Sequence, residues 1–155
     1  MDKEYFMRKA IKLSIESVKN GGGPFGAVIV KNGKILAEAS NSVTKNNDPT
    51  AHAEVNAIRI ATQKLNSFDL SGCEIYSSCE PCPMCLGAIY WAKIDKLYFA
   101  NTKIDAKNIG FDDSFIYDEI ALPYNKRKLK TTQMLKDEAT IAFKEWENLD
   151  NKIEY

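Results

Sequence analysis

Histidine is almost missing from this chain: among 155 residues there is one, His52. Its scarcity excludes any site that needs two imidazoles from one subunit. Long apolar runs are missing as well. Nothing approaches the roughly 20 residues that span a bilayer, and the opening MDKEYFMRKAIKLSIESVKN carries charges throughout its apolar positions, unlike a secretory segment. These absences predict a cytoplasmic protein with no membrane partner. Charge of one sign is also lacking, since 21 basic residues balance 21 acidic ones. A net charge of zero argues against a nucleic-acid partner held by a basic surface. No phosphate-cradling glycine loop is present either, because Gly21–Gly23 runs into Pro24 without the lysine or strand context that such a loop requires.

What remains is enough for one domain with its own core: the length suits a single unit, and 45% of the residues are hydrophobic. Apolar residues at helical spacing predict a first helix over residues 4–18, with Phe6, Ala10, Leu13 and Val18 inward and an exit near Asn20–Gly23. AVIV and ILAEA flank Lys31–Asn32–Gly33, and Asn-Gly between such runs signals a hairpin. NSVTKNNDP reads as a polar loop, after which Thr50 is placed to cap a helix starting near His52, with Val55, Ile58, Ala61 and Leu65 inward. CEIYSS and KLYFA read as strands around a short helix, PMCLGAIYWA, with Pro83 in its first turn. LPYNKRKLK reads as a solvated connection to a helix carrying Ala139, Ala142, Phe143, Trp146 and Leu149. Alternating strands and helices give an α/β layer sandwich.

The chemistry concentrates in the cysteines. Cys73, Cys79, Cys82 and Cys85 fall within 13 residues, and the Cys82-x-x-Cys85 spacing brings two thiolates to one metal. His52 adds a nitrogen. One nitrogen and two sulfurs supply three zinc ligands and leave the fourth tetrahedral position to water, which is the pattern of a catalytic zinc. Helix N-terminal dipoles would favour both thiolates. Glu54, two residues after His52, is placed to shuttle a proton rather than to bind the metal. A structural zinc with Cys79 as a fourth ligand is the competing arrangement, and Cys73 reads as strand core.

These residues and their order resemble the cytidine deaminase-like zinc deaminase superfamily. Within it, GGPFGAVIV, NDPTAHAEV, SCEPCPMCLGAIYWA, GFDDSFIY and the last EY are similar to the bacterial guanine deaminases. The resemblance implies a three-layer α/β/α sandwich around a central mixed β-sheet. It further implies one Zn2+ per subunit on His52, Cys82 and Cys85, Glu54 as acid/base, and a homodimer exchanging C-terminal segments, here residues 132–155. The implied reaction is hydrolysis of a free purine base, guanine, to xanthine and ammonia. On the same basis Asn41 is implied to meet the base edge, Phe25 and Trp91 to wall the purine, and Asp113 to accept guanine's N–H groups, with Asp112 as its rival. Tyr155 is implied to reach the partner's pocket. A transfer-RNA adenosine deaminase, a free cytosine or cytidine deaminase, and a non-catalytic structural-zinc module are the alternative readings.

Overall fold

The computed structural model describes residues 2–155. Its first helix, α1, runs Lys3–Lys19. Asp2 caps it by accepting the Tyr5 N–H at 3.1 Å, and Glu4 and Lys19 complement the helix dipole at the two ends. Phe6, Ala10 and Ser17 are buried and Leu13 is partly so. Val18, expected inward, lies outside. Ser17 continues the buried stripe, and its Oγ donates to Gly23 O at 2.7 Å to fasten the helix exit.

Strands β1 (Gly26–Lys31) and β2 (Lys34–Ser40) form the expected hairpin. Asn32 and Gly33 have φ of 50° and 72°, the paired positive values of a type I′ turn. Ile29 pairs with Ala37 but Val30 with Ile35, so Leu36 is an extra residue that bulges β2. The polar stretch that follows contains a short helix, α2 (Val43–Asn46), where a loop is expected. Its four residues carry no apolar period by which the sequence could reveal it. Next come α3 (Ala53–Leu65), β3 (Cys73–Cys79), α4 (Pro83–Trp91) and β4 (Lys96–Asn101).

The strand order is β2-β1-β3-β4, with β3 antiparallel to β1 and parallel to β4. The sheet is therefore mixed, as expected, and α4 is the crossover that a parallel neighbour requires. Alternation along β1 separates two apolar clusters. Val28 and Val30 join Phe6, Ala10 and Tyr76 beneath α1, whereas Ala27 and Ile29 join Ala53, Ala57, Ala61, Ile75 and Ile89 beneath α3 and α4. Helices thus cover both faces and give the three layers. Ile29 and Ile75 are fully buried, worth about 1.5–3 kcal/mol each. The deeply buried stripe of α3 is Ala53, Ala57 and Ala61, with Ile58 and Leu65 packed at its margin. Small residues let the helix lie low on the sheet and bring its N-terminus close to β3.

Past β4, Thr102 and Asp105 form a capping box on α5 (Lys103–Asn108). Two further helices, α6 (Ser114–Ala121) and α7 (Lys136–Glu147), complete the chain. α5 and α6, of six and eight residues, are too short to show a sustained apolar period in the sequence. The chain divides into two units, Met1–Ser114 and Phe115–Tyr155. In the second unit Arg127 is more than a solvated cation: its Nε donates to Glu119 O at 3.0 Å and Leu122 O at 3.1 Å, closing the end of α6. No residue of α7 is buried, and Ile141, Phe143 and Trp146 are exposed. Among the described residues no helix is long and apolar enough to cross a membrane.

Gly26 sets the depth at which α1 lies on the sheet, because a Cβ there would stand 2.3 Å from Ala10 O and 2.8 Å from Leu13 Cβ. Gly26→Ala should lower stability by about 1–3 kcal/mol, read as an earlier urea midpoint. An unchanged midpoint would refute the close approach.

Candidate metal and catalytic centre

Two helix N-termini converge beside the sheet. His52 is the N-cap of α3 and Cys82 the N-cap of α4; Pro83 opens α4, and Cys85 lies in its first turn. Neither N-cap side chain makes a capping hydrogen bond; the two are turned to one another. Thr50, expected as the cap of α3, instead donates through Oγ1 to Asp48 Oδ1 at 2.7 Å in the turn before it.

His52 Nδ1 lies 3.5 Å from Cys82 Sγ and 3.5 Å from Cys85 Sγ, and the three donor atoms all fall within 4.8 Å of one another. A tetrahedral ion bonded to nitrogen at about 2.0–2.1 Å and to sulfur at about 2.3 Å holds such donors about 3.6 Å apart. The cluster fits one metal ion with its side chains where they are. Cys79 is not part of it: its thiol meets Thr102 O at 3.6 Å, and burial pushes it up to about 11. The three-donor set favours an open fourth position over the four-ligand structural alternative. Cys73 is strand core, as expected.

The cluster is electrostatically tuned even as bare protein. A hydrogen bond from Cys85, joined by one from His52, holds the Cys82 thiol far below its ordinary range, while the same bond and burial push the Cys85 thiol up. His52 is raised by its bond to Cys82. Glu54, in the first turn of α3, is 5% exposed. Burial raises its carboxyl above the usual range, against the bonds donated by Ser77 and Cys85. Ser77 Oγ donates to Glu54 Oε1 at 2.9 Å.

The remaining candidates are distributed unevenly. Asp113 is close enough to His52 and Cys82 for their charges to interact, its Oδ1 is buried without a hydrogen bond, and burial raises its carboxyl. Asp112 is committed elsewhere: it accepts from Ser114 N–H at 3.0 Å and from Ser114 Oγ, and pairs with Lys107 at 3.6 Å. Asn41 N–H donates to Phe25 O at 3.1 Å, and Asn41 Oδ1 accepts the Val43 N–H at 3.2 Å. Its side-chain carbonyl thus serves the turn between β2 and α2. Phe25 meets Phe111 edge-on at 5.1 Å and lines a cavity of about 360 Å³ with Cys79, Asn101 and Ile109. Trp91 ends α4 and is 68% exposed, so it is not brought into the buried centre. Tyr155 belongs to the second unit and is 75% exposed. Ser77 is the polar neighbour that the sequence reading missed. Its one sequence signal is a hydroxyl on the otherwise apolar inward row of β3.

Residues 1–101 match the model of the cytidine and deoxycytidylate deaminase zinc-binding region. The chain belongs to this deaminase family. It is 52% identical to the guanine deaminase of Bacillus subtilis (strain 168), over 100% of both chains. The X-ray structure of guanine deaminase from Bacillus subtilis superimposes with a TM-score of 0.97, at 52% identity, covering 100% of this chain and 99% of that one. A tRNA-specific adenosine deaminase of Aquifex aeolicus is 43% identical over 79% of this chain and 80% of its own.

Membership of this deaminase family gives the three-donor cluster a direct test. Chelator-treated protein should bind one divalent ion per chain and gain thermal stability, because the ion binds a site that the unfolded chain lacks. Cys85→Ala should abolish both effects in calorimetry and metal analysis; full retention of both would reject the cluster.

Proposed function

We propose that the protein hydrolyses free guanine to xanthine and ammonia, using one zinc ion per subunit on His52, Cys82 and Cys85 and Glu54 as proton carrier. The full-length likeness to a guanine deaminase is the observation that carries the substrate. The open three-donor cluster beside a buried carboxylate supports the reaction class.

Nitrogen and thiolate donors suit zinc, which when bound supplies Lewis-acid activation of water at neutral pH. The protein's own part is proton management. Glu54 takes a proton from the water that adds to C2 of guanine and passes it to a ring nitrogen. The remaining proton of the added hydroxyl, carried the same way, goes to the amine as the C2–N bond breaks, ammonia leaves and the C2 carbonyl forms. A carboxyl raised by burial is well suited to both accept and return a proton.

Asp113 is the recognition carboxylate in this reading. Its unbonded buried Oδ1 is an acceptor awaiting donors, and guanine presents a ring N–H beside an exocyclic amine. Asn41 contributes its amide N–H group to the base edge, and Phe25 supplies an apolar wall. Two copies exchanging residues 132–155 would cover the bare apolar face of α7 and carry Tyr155 into the partner's pocket. Four free cysteines, two of them metal ligands, suit the reducing cytoplasm.

Ammonia release from zinc-loaded protein, measured on guanine, adenine, cytosine, cytidine, guanosine and a transfer-RNA anticodon stem, tests the reading. Guanine should be preferred, with xanthine as product; preference for the anticodon stem would replace this substrate with the transfer-RNA adenosine. Glu54→Gln should keep its zinc and lose about 10²–10⁴-fold in kcat. Removal of residues 151–155 should impair guanine turnover, and unchanged kinetics would reject the role of Tyr155.

A further inference from the structure

The inward row of β3 is Cys73, Ile75, Ser77 and Cys79, and the first two belong to the apolar cluster beneath α3 and α4. Ser77 interrupts this row with a hydroxyl at 2% exposure. A buried hydroxyl without a partner costs about 1–3 kcal/mol, so an apolar residue of similar size would serve the core better. The hydroxyl has one evident use, the 2.9 Å bond to Glu54 Oε1. An ionised carboxylate only accepts, so Ser77 is the donor.

The geometry also makes Ser77 a rigid anchor. In the sheet it is paired with Ala27 of β1 on one side and Phe99 of β4 on the other, so ladders on both sides fix its Cα. Glu54 sits on a separate element, and the terminal torsion of a glutamate is broad and nearly two-fold. A carboxylate that must receive a proton from one position and deliver it to another needs that torsion fixed.

We propose that Ser77 is the positioning residue of the proton carrier: its hydroxyl holds Glu54 Oε1, so that Oε2 is the oxygen that takes and releases the proton. Ser77 itself gains and loses nothing over a turnover. The proposal rests on the deaminase reading above and adds to it an assignment of the two carboxylate oxygens and of the residue that distinguishes them.

A double-mutant cycle with the full-length, zinc-loaded protein tests it, using Ser77→Ala, Ser77→Thr, Glu54→Gln and the Ser77→Ala/Glu54→Gln pair. Ser77→Ala should keep one zinc per chain and its melting temperature, and lose about 10–100-fold in kcat with KM within about threefold. Ser77→Thr, which retains the hydroxyl, should recover most of that loss. In the Glu54→Gln background the alanine should cause no further loss in single-turnover rate, because no proton carrier remains to be positioned. An equal fall in both backgrounds, or a Ser77→Ala kcat within twofold of the parent, would overturn the proposal. Failure of the guanine assignment has a different signature: the parent protein would be inactive on guanine, while the ratio between parent and variant would persist on whichever base it deaminates.

Discussion

The meeting of two helix N-termini beside β3, an interior strand of a mixed sheet, sets the terms for the rest of the molecule. His52 and Cys82 occupy positions where a helix ordinarily spends a side chain on its own unbonded N–H groups, yet both are turned to each other and to Cys85. Positive dipole ends offset part of the cost of gathering two thiols and a buried carboxylate in one place. The layered fold supplies the remainder. Alanines at 53, 57 and 61 let α3 settle on the sheet, and the β3–α4–β4 crossover fixes the end of α4 that carries both cysteines.

From that arrangement follows a division of labour among charged groups close in sequence. Glu54 is two residues from His52 but faces β3, where Ser77 meets it. Asp112 and Asp113 are adjacent, yet one is consumed by Ser114 and Lys107 while the other keeps a buried oxygen without a bond. Neighbouring carboxylates acquire different chemistry because the turn before α6 engages only one of them.

The two units also differ in how they use apolar surface. The first buries its hydrophobic residues in two clusters on opposite faces of the sheet. The second carries Ile141, Phe143 and Trp146 on a helix without a buried residue. Phe143 and Trp146 share one face of that helix and Ile141 lies on the opposite one; large apolar side chains exposed in this way are stable in water when another surface covers them, which supports the proposed exchange of C-terminal segments.

Local pattern determined a good deal. The Asn32–Gly33 turn, the strands around the cysteines, Pro83 at the start of α4 and the grouping of His52 with Cys82 and Cys85 were all readable from composition and spacing, because each depends on backbone preference or ligand type within a few residues. Other features needed the third dimension. Val18 and Ser17 exchange places at the end of α1 because a loop carbonyl, Gly23 O, claims the serine. Thr50 yields the cap of α3 to His52 because Asp48 engages it. The helices α2, α5 and α6 are too short to announce themselves by period. The sequence by itself determined the donor types and an α/β layered fold, and the resemblance added the mixed sheet. Only the tertiary structure decided that the donors stand 3.5 Å apart, that Cys79 stays outside their cluster, and that Ser77 holds Glu54, since those distances arise from packing between elements far apart in the chain.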